Sequence, residues 1–223
     1  AMQAQAYAEQ GISVLVLDLW GTGDSQGDFS EATWDTWLDN INTAVKWLQE
    51  KQYKLINLWG LRTGALLALK YLQKYDPDID KLICWQPILN GEQFVMQFLR
   101  LNVAAAMMDK DKPQKTTSSL KQQLLNGQCV EVAGYCLNPE LALPIISAKM
   151  DQIKINQVKQ IQIFELAVAS EEGEGYATSQ WIKHLKQEGI KTSLDMISGC
   201  HFWATQDISE SLELITLSSQ RAS

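Results

Sequence analysis

The sequence holds 223 residues, 46% of them hydrophobic and 20% charged, which is enough apolar material to bury the core of one α/β domain and too much for a disordered or fibrous chain. With 19 basic and 26 acidic side chains the formal net charge is −7, spread without a long run of one sign, so no basic footprint for nucleic acid is present. No apolar run reaches the roughly 18 to 20 residues of a membrane-spanning helix, and Ala1 to Gln10 lacks the layout of a signal peptide, so the chain reads as cytoplasmic.

Along the chain, Ala1 to Gln10 has the pattern of a helix. Ile12 to Leu17 is a mostly apolar, β-branched run suited to a parallel strand covered on both faces. Asp28 and Glu31 resemble a capping box ahead of a helix in which Trp34, Trp37, Leu38, Ile41, Val45 and Leu48 fall at helical spacing. Leu55 to Leu58 reads as a strand, Gly64 to Leu72 as a helix, and Lys81 to Cys84 as a strand. The interval from Trp85 to Ile161 is too long for one crossover helix. It contains a polar loop at Lys110 to Ser119, a helix at Leu120 to Asn126, a short strand at Cys129 to Ala133 and a helix at Pro139 to Met150. Strand Ile161 to Phe164, a helix bearing Trp181, Ile182 and Leu185 that stops at Gly189, and strand Thr192 to Ile197 complete the order. Strands and helices alternate, which predicts an α/β chain with a parallel sheet and right-handed crossovers. Residues 1–100 and 158–223 form its core and 101–157 a cap insertion.

Three motifs stand where strands end. They are Asp18-Leu19-Trp20-Gly21-Thr22-Gly23-Asp24-Ser25-Gln26-Gly27, Gly60-Leu61-Arg62-Thr63-Gly64 and Gly199-Cys200-His201-Phe202. The second has the frame of the G-x-S-x-G nucleophile elbow, whose glycines permit a strained strand-to-helix turn, but its tip is Arg62. A guanidinium stays protonated at any biological pH and cannot attack a carbonyl. The order of the three motifs resembles that of α/β-hydrolases, with a mostly parallel sheet, helices on both faces and an inserted cap. On that plan Ala1 to Gln10 is the helix before the fourth strand. The chain is therefore expected to lack the first strands and the oxyanion loop, and to expose Ile12 to Leu17 as an edge that favours self-association.

More narrowly, Trp59 to Ala68, Trp85 to Phe94, Gln97-Phe98-Leu99-Arg100, Gly134-Tyr135-Cys136-Leu137 and Phe202-Trp203 resemble the second type of exosortase A system-associated hydrolase. The resemblance covers nearly the whole chain. It implies an ester or thioester hydrolase class, Gram-negative bacteria that make exopolysaccharide, and an arginine at the elbow as a family trait.

His201 falls where the fold places a general base. Glu171, Glu172 and Glu174 follow the Ile161 strand, where an acid that orients the histidine would sit, or else form a solvated loop. Arg62 has two readings: a partner for a nearby carboxylate, or a clamp for a phosphate or carboxylate ligand beside a helix amino terminus. Trp20, Trp59, Trp85 and Trp203, half of the 8 tryptophans, lie beside strand-end loops and are either core or an aromatic floor for a sugar or lipid. His184 reads as solvated, and Ser25 as a turn-stabilising hydroxyl. Cys84, Cys129, Cys136 and Cys200 show neither C-x-x-C pairing nor a histidine at ligand spacing, so zinc and a disulfide framework are not expected and the thiols read as small buried side chains. Cys84 and Cys200 remain alternative nucleophiles. No cofactor and no metal site is expected. The partner is a small-molecule, glycan-linked or lipid-linked ligand, anionic if Arg62 binds it.

Overall fold

The computed structural model describes residues 1–108, 116–167, 176–204 and 209–222. The elements in chain order are α1 (Met2–Glu9), α2 (Trp34–Glu50), β1 (Asn57–Leu61), α3 (Thr63–Tyr75), β2 (Ile79–Trp85), α4 (Gly91–Met108), α5 (Thr117–Leu125), β3 (Val130–Val132), β4 (Tyr135–Leu137), α6 (Pro139–Ser147), β5 (Val158–Ala167), α7 (Tyr176–Gln187), β6 (Lys191–Ser198) and α8 (Leu212–Ala222). Four strands make one parallel sheet in the order β1-β2-β5-β6, and β3 and β4 form a separate antiparallel hairpin. This is the α/β architecture expected, with helices on both faces.

Period-two alternation splits the core in two. Leu82 and Cys84 of β2, with Ile161 and Ile163 of β5, face α2, α3 and α7. Ile83, Trp85, Phe164 and Leu166 face α1 and α8. Where α1 meets α8, Gln3 Nε2 donates to Ser219 Oγ at 2.9 Å and accepts at Oε1 from Ser218 at 3.1 Å, so the buried amide is satisfied on both sides. The helices α4, α5 and α6 pack on one another, and α4 and α5 also touch β3. Gly91 opens α4 against α6: a Cβ there would stand 1.7 Å from the Ile145 carbonyl oxygen, so this crossing tolerates no side chain.

Several expectations change. Ile12 to Leu17 is not a strand. Among the described residues no strand pairs with it, and Val14 to Leu17 are 38% to 64% exposed. The run has the composition of a doubly covered strand, but a strand exists only where a neighbour supplies its ladder, and here β1 ends the sheet. The Asp28–Glu31 capping box is present but closes a 3-10 turn at Phe29–Glu31, and α2 is capped instead by Thr33, which accepts from the Thr36 amide at 3.0 Å. The helix expected over Pro139 to Met150 ends at Ser147, and the strand expected at Cys129 to Ala133 is one arm of a hairpin. Of the polar loop, residues 109–115 lie outside the described residues, while Thr117 to Ser119 already belong to α5. Only Cys84 is buried; Cys129 and Cys200 are exposed and Cys136 is half-buried, because the first lies on a central strand and the others on the hairpin and a strand-end loop. His184 is half-buried rather than solvated, with its Nε2 out of solvent and without a hydrogen-bond partner. Among the described residues no helix is long and apolar enough to cross a membrane.

Candidate ligand-binding mouth

The elbow is built as the motif predicts. The β1 strand ends at Leu61, α3 starts at Thr63, and Arg62 between them sits at φ 54°, ψ −114°, a left-handed-side conformation that costs a non-glycine residue about 1 to 3 kcal/mol. Gly60 makes the turn fit, since a Cβ there would lie 2.5 Å from the Ala65 nitrogen and the Gly64 carbonyl carbon. Gly64 faces open space and is not required in the same way. The Arg62 amide donates to the Trp85 carbonyl at 2.9 Å, which ties the strained turn to the end of β2.

The Arg62 side chain is half-buried and forms no ion pair among the described residues. Its guanidinium carbon stands 5.8 Å from the Phe94 ring centre and 5.5 Å from that of Trp203, two cation–π contacts. Burial pulls its pKa below the usual arginine range. The charge is held in place by aromatic faces, with no ion-pair partner among the described residues.

Around it the aromatic residues form a connected chain. Trp59 meets Trp85 edge-on at 5.0 Å, Trp85 meets Phe202 at 6.4 Å, Phe202 meets Trp203 at 4.9 Å, and Trp203 stacks on His201 at 5.0 Å with 25° between planes. Trp85 is 4% exposed, so it is core, and its indole Nε1 has no hydrogen-bond partner. Trp59, 39% exposed, and the half-buried Trp203 present surface. Trp20 does not join this chain. Its indole packs over Gly27, its amide donates to Asn40 Oδ1 at 2.9 Å, and its carbonyl accepts from Trp37 Nε1 at 3.0 Å. Ser25 Oγ donates to the Leu19 carbonyl at 2.6 Å within the same turn, a structural hydroxyl.

His201 Nε2 lies 3.2 Å from the Leu166 carbonyl oxygen. A carbonyl only accepts, so this contact places a proton on Nε2. In a triad Nε2 faces the nucleophile and Nδ1–H is held by the acid; here Nε2 is engaged by backbone. On the other side of the same residue, the Leu166 N–H donates to Gln86 Oε1 at 2.8 Å. Gln86 and His201 thus both hydrogen-bond to Leu166, one at its N–H and the other at its carbonyl. Glu171 and Glu172 lie outside the described residues. Burial pushes the Cys84 thiol far above its ordinary range, which removes it as a nucleophile. Among the described residues no group of three His, Cys, Asp or Glu side chains is placed to hold a metal.

Sequence reasoning did not single out Phe94, Phe202 or Gln86 for this mouth. Phe94 lies one turn into α4 and Phe202 adjoins His201, so their signal was proximity to chosen residues rather than a motif. Gln86 is marked by a backbone at φ 42° just past β2, which no sequence pattern reveals.

A profile of the family described as "Serine aminopeptidase, S33" (Hydrolase_4) matches residues 1–155. The chain belongs to this family. The thermostable monoacylglycerol lipase of Bacillus sp. (strain H-257) is 27% identical over 151 residues, 68% of this chain and 56% of the lipase, so the match spans little more than half of that relative. Among solved structures, Est1E from Butyrivibrio proteoclasticus with ferulic acid bound superposes with a TM-score of 0.64 at 17% identity, covering 99% of this chain and 80% of that one. Mouse alpha/beta hydrolase domain-containing protein 10 gives 0.60 at 13% identity, covering 100% and 82%. These likenesses fix the fold as α/β-hydrolase. The S33 family's description names a serine, and the elbow of this member carries Arg62.

Proposed function

We propose that this α/β-hydrolase relative binds an anion at its strand-end mouth and performs no serine-based hydrolysis. The observation that carries the reading is Arg62: a half-buried guanidinium on a strained backbone, packed by Phe94 and Trp203 and paired with no carboxylate among the described residues. A strained residue persists only where surrounding structure holds it, and such strain clusters at functional sites. The charge sits at the start of α3, whose dipole adds to the attraction for a negative group.

The ligand we expect carries a carboxylate or phosphate on an apolar, aromatic or glycan-linked body, with Arg62 on the anion and Trp203 and Trp59 beside the body. Relatives named for monoacylglycerol and for bound ferulic acid support an acyl or aromatic carboxylate. We read such a ligand as belonging to exopolysaccharide production in the cytoplasm, a reading supported by the resemblance to exosortase A system-associated hydrolases. Hydrolysis of an ester or thioester would need a nucleophile other than residue 62.

Titration calorimetry with ferulate, a medium-chain fatty acid and glycerol phosphate, run beside turnover assays on the matching esters, tests this. Binding of at least one anion, lost in Arg62→Ala and without ester turnover, is the expected result. Ester turnover that survives Arg62→Ala refutes it.

A further inference from the structure

The β3–β4 hairpin carries chemistry that the mouth does not use. Its register pairs Val130 with Leu137, Glu131 with Cys136 and Val132 with Tyr135. Directly opposed residues share a face, and residues two apart on an extended chain do as well. Cys129, two before Glu131, therefore lies on the face that carries Glu131 and Cys136, diagonal to Cys136. Val130 and Leu137 fill the other face and are buried. Diagonal neighbours on such a pair are roughly 7 to 8 Å apart, and Cys129 is close enough to raise the pKa of the Cys136 thiol. Cys129 sits just outside β3, after a turn in which Gly127 takes φ 77°, so its backbone is free of the ladder and can adjust toward the narrow geometry of an S–S bond.

The two cysteines differ in a way that divides the labour of thiol–disulfide exchange. Cys129 is exposed. Cys136 is half-buried, and its thiol is pushed up to about 11 by burial first, then by Cys129 and the acidic side chains Glu131 and Asp28. The first thiol to meet a reagent is therefore Cys129, and Cys136 is held protonated and adjacent.

We propose that Cys129 and Cys136 form a redox-active dithiol that closes to an intra-hairpin disulfide by exchange with a small-molecule disulfide. In the first step the Cys129 thiolate attacks one sulfur of the reagent, forming a mixed disulfide and releasing one reagent thiolate. In the second, Cys136 loses its proton and attacks Cys129 Sγ, forming the protein S–S bond and expelling the other reagent thiolate. The protein gives up two electrons and two protons, and the reagent disulfide is reduced to two thiols. Closure tethers an element that bridges two parts of the fold. Asn102 of α4 donates to the Glu131 carbonyl at 2.5 Å, Tyr135 meets Phe29 at 5.8 Å, and Asn138 donates to the Ser30 carbonyl at 2.9 Å.

The test uses the full native chain and oxidised glutathione. Trypsin cuts after Lys121 and Lys149 and leaves both cysteines on the single peptide Gln122 to Lys149. After incubation at about pH 8, near the ordinary thiol range, followed by alkylation and digestion, that peptide is expected to lose two hydrogens, resist alkylation and regain both on treatment with dithiothreitol. The exposed Cys200, on its own loop, reports whether the reagent reaches open thiols. Cys136→Ser is expected to leave a stable glutathione adduct on Cys129, and Cys129→Ser to leave Cys136 unmodified. Because the readout is the mass of a wild-type peptide, a variant that fails to fold does not decide the outcome. An unchanged wild-type peptide overturns the proposal, and so does accumulation of a wild-type glutathione adduct on Cys129 without closure.

Discussion

Replacing Arg62 with alanine separates a ligand clamp from a structural ion pair, and the two differ in magnitude. The guanidinium makes two cation–π contacts, at 5.5 and 5.8 Å, each worth about 0.5 to 1 kcal/mol at a partly exposed site, so Arg62→Ala should lose roughly 1 to 2 kcal/mol. Alanine keeps a Cβ at φ 54°, so the backbone strain stays and returns nothing. At about 2 to 4 °C per kcal/mol for a chain of this size, Tm should fall by roughly 2 to 8 °C. A bound anion at ten times its Kd adds about 1.4 kcal/mol and should raise the wild-type Tm by roughly 3 to 6 °C, with no rise in Arg62→Ala. Calorimetric melts of both proteins, with and without ferulate or glycerol phosphate, read all four values. Had Arg62 been locked in a buried pair, the substitution would leave a stranded carboxylate and cost about 3 to 5 kcal/mol. A fall beyond about 10 °C together with an anion-insensitive wild type refutes the clamp.

Other consequences follow from single contacts. Fluorophosphonate probes should label no serine, and Arg62→Ser should also stay unlabelled, because His201 Nε2 faces the Leu166 carbonyl; labelling of residue 62 in gel-based profiling would count against that geometry. Gly60→Ala should cost about 3 kcal/mol from backbone overlap at 2.5 Å, while Gly64→Ala, with open space, should change stability by less than about 1 kcal/mol; equal denaturant midpoints would contradict the contrast. The exposed run Val14 to Leu17 should bind hydrophobic dyes, and a Leu15→Lys, Val16→Lys pair should weaken both dye fluorescence and any concentration-dependent association seen by light scattering.

The fold was readable because each piece of it rests on local pattern. The apolar runs of β2 and β5 are buried on both faces, so their composition and their location agree, whereas β6, at the sheet edge, buries only Ile197. Ile12 to Leu17 has the same composition and forms no ladder, since composition records what a strand needs and a partner decides whether it forms. Asp28 and Glu31 satisfied one another as the sequence suggested, yet around a single 3-10 turn, because a capping box specifies its own first turn and not the length of helix behind it. The mouth was readable only where residues adjoin strand ends. Trp59, Trp85 and Trp203 met for that reason, and Trp20, equally close to a run's end, turned onto Gly27 instead. What brings Phe94 to Arg62 is the path of α4, and that path is set by the contact between Gly91 and Ile145, a tertiary event with no trace in either local sequence.

The elbow makes one further step possible. In a serine hydrolase the strain at the tip is offset by the reactivity it gives the nucleophile. Here the same backbone holds an arginine, which gains no reactivity from exposure and gives up solvation, so the strain must serve position alone. Position matters when the charge is needed at one place: φ 54° sends the side chain off the strand end between Phe94 and Trp203, with α3 beginning directly behind it. Glycine at residue 62 would relieve the backbone and delete the charge, so Arg62→Gly should recover about 1 kcal/mol relative to Arg62→Ala while binding anions no better. If the two variants melt together, the turn carries no strain, and the case that the arginine is held there for a ligand loses its physical basis.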